Sequence, residues 1–194
     1  MLSELLSENK LYLASKSQRR VQLLKGLDLD FKQIDIDVEE IWPEGMELLE
    51  IPEYLAKLKS QGLKSGLKEE DIVITADTAV FCDNEILNKP IDESEAVKML
   101  QKLSGNSHTV VTGVCLRSAQ KTYSFSDRTK VYFENLSEKE IAYYIKAYQP
   151  FDKAGSYGAQ DWIGYIGIQR LEGSYYNVMG LPVRKVYRAL LNFV

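Results

Sequence analysis

Histidine is almost missing from this sequence, cysteine is scarce, and no run of lysine or arginine exceeds two residues. The single histidine, His108, lies at the start of an apolar stretch, and no G-x-S-x-G elbow accompanies any serine, so a Ser-His-Asp triad has no support beyond that one residue. Cys82 and Cys115 are too few for a disulfide framework, and neither belongs to a C-x-x-C pair. Reduced thiols in a cytoplasmic setting are the expectation. A net charge of -4 without a basic stripe argues against a nucleic-acid partner. No apolar run reaches membrane length, and the opening "MLSELLSENK" has neither a basic nor an apolar leader region, so no membrane association is expected. The two commonest nucleotide fingerprints, G-x-x-x-x-G-K-[ST] and G-x-G-x-x-G, are also missing. What remains is carboxylate and lysine chemistry on a chain of 194 residues, 45% hydrophobic and 27% charged, enough to build a globular core.

Strand-like and helix-like segments alternate, the pattern of an α/β protein. "FKQIDIDV" (31–38) alternates with period two and predicts a strand, followed by a loop that opens on Glu39 and Glu40. "LLEIPEYLAKLKSQGLKSGL" (48–67), with Pro52 near its start, predicts a helix, and "DIVITADTAVF" predicts a buried central strand. "DESEAVKMLQKLSG" reads as a helix capped by Asp92 with Glu95 three residues on, stopped by Gly105. "HTVVTGVCLRS" and "KTYSFSDRTKVYFENL" predict an antiparallel pair, and "SEKEIAYYIKAY" a further helix. The stretch 150–182 holds half of the twelve glycines, which suggests backbone packed closely against something.

"LASKSQRR" (13–20) reads as a strand end running into a helix capped by Ser17, with Arg19 and Arg20 in its first turn. Cations there oppose the helix dipole by about 0.3–1 kcal/mol, so the pair calls for a reason. Asp77 in "ITADTAV" is the most pointed candidate, because a charged group at the end of an apolar strand must be solvated, paired or bound to a cation. The carboxyl edge of a strand is also where open α/β sheets bind ligands. A turn-forming aspartate bonded to nearby amides is the equal alternative. Lys89 in "ILNKP" precedes Pro90 on an extended segment, and Lys59 lies on the Pro52 helix; plain solvent exposure is the simpler account of both.

Taken together, these segments resemble the Maf family over nearly the whole chain. "LASKSQRR" matches L-A-S-x-S-P-R-R, "ITADTAV" with "ILNKP" matches A-D-T-x-V and L-x-K-P, and "LSGNSHTVVTGVCL" matches L-S-G-x-x-H-x-V-x-T-G-V. "FDKAGSYGAQ" and "EGSYYNVMGLP" match D-K-A-G-x-Y-G-x-Q and G-x-x-x-N-V-x-G-L-P. The one departure is Gln18, where the family has proline; Gln is a good helix former, and Ser17 still caps.

The resemblance implies a single Maf-like domain over 1–194, folded as two lobes around an active-site cleft, with the mixed twisted sheet of inosine triphosphate pyrophosphatases. It implies a house-cleaning nucleoside triphosphate pyrophosphatase that uses a divalent metal, Mg2+ or Mn2+, and a homodimer in the cytoplasm. Ser15, Arg19 and Arg20 fall on or beside the substrate-binding positions, where the arginine forks and free helix amides would meet phosphate oxygens. Asp77 would orient or deprotonate the water and, with Glu40, hold the metal. Lys59 and Lys89 would stabilise phosphate charge. Thr78 and Gln160 match the dTTP/UTP subgroup, and a glutamine can offer a donor and an acceptor to a uracil or thymine edge. A loop side chain bonded to its own backbone is the plainer reading of Gln160. A non-catalytic regulator of septum formation and a pyrophosphatase for 7-methyl-GTP or inosine-type nucleotides are the rivals.

Overall fold

The computed structural model describes residues 2–63 and 66–194. In chain order the elements are α1 (Leu2–Leu5), β1 (Lys10–Ala14), α2 (Gln18–Lys25), β2 (Lys32–Ile34), α3 (Ile51–Gln61), β3 (Asp71–Cys82), β4 (Glu85–Leu87) and α4 (Glu93–Leu103), then β5 (Ser107–Arg117), β6 (Thr122–Phe133), α5 (Glu138–Tyr148), α6 (Trp162–Gly167), β7 (Ile168–Glu172), α7 (Tyr175–Val178) and α8 (Val183–Phe193). The seven strands form one mixed sheet in the order β2-β1-β3-β5-β6-β7, with β4 paired to β3. β1 runs parallel to β2 and β3, whereas β4 on β3 and β7 on β6 are antiparallel. The α/β expectation therefore holds. Among the described residues no helix is long and apolar enough to cross a membrane.

The chain divides into two compact units. The first comprises residues 1–77, 112–127 and 180–194. Leu11, Leu13, Leu24, Ile51, Leu55, Ile74, Val114, Val186 and Leu190 are buried in it. α3 is docked there by two contacts. Thr75 Oγ1 donates to Ala56 O at 2.6 Å, and a Cβ on Gly113 would lie 2.3 Å from the backbone of Pro52 and Glu53, so only glycine lets β5 and the start of α3 approach this closely. The second unit, 78–111 with 128–179, is built around Leu100, Leu103, Val110, Val131, Phe133, Ile141, Tyr144, Ile145 and Ile163. α5 begins there with a full capping box between Ser137 and Glu140.

Two predicted elements come out shorter. β2 covers only Lys32–Ile34, because its parallel partner β1 ends at Ala14, paired with Ile34, where the Ser15–Ser17 turn begins. The predicted helix over 48–67 is a 3₁₀ turn at Leu48–Glu50 followed by α3, which stops at Gly62. Side-chain atoms of Ile36 and Val38 occupy the space where a Gly62 side chain would extend. Lys64 and Ser65 of that prediction lie outside the described residues.

His108 is only 2% exposed and packs edge-on against Phe133 and Tyr157, with its Nε2 2.7 Å from the Tyr157 hydroxyl. Burial drives its pKa from 6.5 down to about 3. The folded state therefore binds fewer protons than the unfolded chain between those values, and stability falls as pH drops through that window. Taking 6.5 for the unfolded imidazole, about 1.4 kcal/mol should be lost between pH 7.5 and 5.5. Urea denaturation at the two pH values measures this. His108→Phe should flatten the dependence, and an equal slope in the variant would contradict it.

Candidate functional site

The first unit assembles an acidic-basic cluster from three elements. Thr75 and Asp77 are two apart on β3 and so share a face, while Ala56 and Lys59 are three apart on α3 and share a side. The Thr75–Ala56 hydrogen bond is thus followed by a second contact one step along, with Lys59 Nζ 2.6 Å from Asp77 Oδ1. The same ammonium lies 3.0 Å from Glu40 Oε1. The Lys59 and Asp77 side chains retain only 17% and 13% of their exposure, whereas Glu40 retains 54%. Two carboxylates consequently share one cation.

Asp77 differs from its predicted setting. It is the seventh residue of a twelve-residue strand, not the end of one. The neighbour ends instead: β1 pairs Ala14 with Thr75 and then leaves the sheet, so the Asp77 carboxylate sits where parallel pairing has just stopped. The turn reading of Asp77 is excluded by this strand setting.

The loop that departs from β1 is tightly held. Ser15 Oγ accepts from Ser17 N at 3.2 Å, Gln33 Nε2 donates to Ser15 O at 2.7 Å, and Ser17 Oγ caps α2 through Arg20 N. Arg20 Nε donates to Gly180 O and Nη1 to Ala76 O, both at 2.8 Å. Two of its guanidinium donors are therefore engaged by backbone, one of them at the residue before Asp77. Burial lowers the Arg20 pKa, opposed by the nearby Asp77 charge. Ser15 and Arg19 belong to the same unit, with Ser15 buried and Arg19 partly so.

Thr78, Lys89 and Gln160 belong to the second unit. Thr78 follows Asp77 in β3 and points to the opposite face; Lys89 is exposed. Gln160 has its Oε1 buried without a hydrogen-bond partner, as are Ser156 Oγ and His108 Nδ1. An orphaned buried acceptor is costly, and such groups are uncommon in folded proteins. Gln160 therefore does not cap its own loop through Oε1.

Among the described residues no group of three or more His, Cys, Asp or Glu is placed to hold a metal. Asp77 and Glu40 nevertheless fit a magnesium-like ion, which takes one or two carboxylates and completes its shell with phosphate oxygens and water. The Lys59 ammonium now bridges them, and a metal held there would take its place and leave Lys59 to turn to the phosphates. Gln33 and the backbone role of Arg20 were not legible as site features. Gln33 sits in an alternating strand with nothing to distinguish it, and only the fold brings Ala76 O and Gly180 O to Arg20.

A family profile described as Maf-like protein matches residues 10–193. The chain is 49% identical over 191 residues to a protein of Porphyromonas gingivalis named dTTP/UTP pyrophosphatase, covering 97% of this chain and 96% of that one. It is 48% identical to a protein of the same name from Flavobacterium psychrophilum, covering 99% and 98%. A solved structure of the Staphylococcus aureus Ham1 protein aligns with a TM-score of 0.44 and 16% identity, over 64% of this chain and 72% of that one.

The two arginines should separate by experiment. Arg20→Met, which leaves two carbonyls without their charged donor, is expected to lower folding stability by about 2–3 kcal/mol in urea titration. Arg19→Ala is expected instead to weaken nucleoside triphosphate binding by roughly 1.5–3 kcal/mol, the scale of a hydrogen bond to a charged group. An Arg20→Met protein as stable as wild type, or unchanged nucleotide affinity in Arg19→Ala, would contradict the assignment.

Proposed function

The chain belongs to the Maf-like protein family, and from that membership and the geometry around Asp77 we propose that it hydrolyses dTTP and UTP to the nucleoside monophosphate and pyrophosphate. The observation that carries the reading is the Lys59 ammonium held between the Asp77 and Glu40 carboxylates, beside the first turn of α2, which carries Arg19 and is tied by Arg20 to the residue before Asp77. In this reading a water oriented or deprotonated by Asp77 attacks the α-phosphorus. A new P–O bond forms there as the bond to the α,β-bridging oxygen breaks, and pyrophosphate leaves with that oxygen and its electron pair. Asp77 takes one proton of the water and returns it to solvent, and the other stays on the new α-phosphate oxygen until it is lost to solvent.

Lys59 and Lys89 supply positive charge to the phosphates as compact donors, Arg19 binds phosphate oxygens with its fork, and Ser15 belongs to the same substrate loop. Arg20 holds that loop in place through Ala76 O and Gly180 O and adds positive charge near Asp77. A divalent cation, Mg2+ or Mn2+, held by Asp77 and Glu40 supplies charge neutralisation on the triphosphate. Gln160 reads the base, with Thr78 as its subgroup partner. The unpartnered Oε1 of Gln160 suits a donor at the N3 position, which uracil and thymine supply as N3–H; cytosine has an acceptor at N3 and carries its donor on the neighbouring 4-amino group.

Purified protein incubated with a panel of nucleoside triphosphates and magnesium or manganese tests this through the pyrophosphate and monophosphate produced. UTP and dTTP should be turned over well ahead of CTP. Asp77→Asn should lower kcat by roughly 10²–10⁴-fold, the range of a lost general base, while the thermal midpoint stays that of a folded protein. An Asp77→Asn protein that retained most of the wild-type rate would remove Asp77 from the mechanism. Binding of nucleotide without pyrophosphate release by the wild type would favour the regulator instead.

A further inference from the structure

Gln160 can discriminate only if its amide is prevented from turning to suit cytosine, and in the second unit the chain on both sides of it is held. Tyr144 of α5 is fully buried. Its hydroxyl accepts the Gly158 N–H at 3.0 Å and donates to Asp161 Oδ2 at 2.7 Å. Those residues bracket Gln160, two before it and one after. Burial and the Asp161 carboxylate raise the Tyr144 pKa, so the phenol keeps the proton that it donates. A Cβ on Gly158 would lie 2.4 Å from Asp161 Oδ2, so the missing side chain lets the carboxylate approach. Lys153 Nζ lies 3.7 Å from the same carboxylate oxygen.

The rest of the loop is fixed as well. Tyr157 is held by His108 at 2.7 Å, and a Cβ on Gly164 would lie 2.1 Å from Ala159 O, so α6 packs directly on the residue before Gln160. Neighbours on both sides are immobilised, while Gln160 Oε1 is left without a partner. We infer that Tyr144, through its paired hydrogen bonds to Gly158 and Asp161, is a positioning residue for base selection that fixes the segment from which the Gln160 amide meets the base. The inference rests on the reading of Gln160 as the base-contacting residue.

Tyr144→Phe keeps the ring and deletes only the clamp. kcat/KM for UTP and CTP would be measured in wild type, Tyr144→Phe, Gln160→Ala and the double variant. Tyr144→Phe should reduce the UTP-to-CTP ratio by about five-fold or more, through a raised KM for UTP with kcat within about two-fold of wild type. In the Gln160→Ala background the same change should leave the ratio unaltered, since the group it orients is gone. Asp161→Asn, which retains an acceptor for the hydroxyl, should keep most of the preference. Asp161→Ala opens the clamp from the other side and should reproduce the loss, which covers the case of an insoluble Tyr144→Phe protein. A wild-type preference that survives both Tyr144→Phe and Asp161→Ala, with only the thermal midpoint lowered, overturns the inference alone. Equal rates on UTP and CTP in the wild type overturn the Gln160 reading and this inference with it.

Discussion

A carboxylate in the middle of a strand buried along its length has to be neutralised, and the placement of Asp77 depends on how this is done. The solution is a ladder of two rungs between β3 and α3, a hydroxyl-to-carbonyl bond from Thr75 to Ala56 and then the ion pair from Asp77 to Lys59. The first rung and the close approach at Gly113 set the helix in place, and the second follows from helical and strand periodicity. Removing Lys59 from such a mostly buried pair would leave the Asp77 charge uncompensated, whereas removing the Asp77 charge leaves the ammonium its Glu40 partner. Glu40, half exposed, adds a second negative group to the same ammonium without a comparable desolvation cost.

Of the two misplaced arginines of α2, Arg20 has a use within the fold. Arg20 turns its guanidinium back into the fold and ties the start of the helix to the strand residue before Asp77 and to the turn before α8. Positive charge at a helix N-terminus is unfavourable by itself, but donors to two carbonyls outweigh it. Ser15, Ser17 and Gln33 complete the holding of the loop that leads into α2, the helix whose first turn carries Arg19. In the second unit the chain around Gln160 is fixed by the same means, with buried hydroxyls and missing side chains doing what cations do in the first.

Much of this was legible in the residues. The alternation of elements, the caps at Ser17 and Asp92, and the prominence of Asp77 follow from local chemistry. Strand lengths were not, because β2 is limited by where β1 ends rather than by its own alternation. α8 has Val186, Ala189, Leu190 and Phe193 at helical spacing but no polar cap or acidic first turn to announce it, Pro182 standing at its N-cap. Tyr144 was hidden for a different reason. It falls in the apolar stripe of α5 with Ile141 and Ile145, and only the requirement that a buried phenol find partners marks it as more than core.

The central claim, attack of a water prepared by Asp77 on the α-phosphorus, is tested most directly by turnover of UTP in water enriched in oxygen-18, followed by mass analysis of both products. The account predicts one heavy oxygen in the uridine monophosphate and none in the pyrophosphate. Label recovered in pyrophosphate, or orthophosphate as the released product, would place the attack at another phosphorus and contradict it.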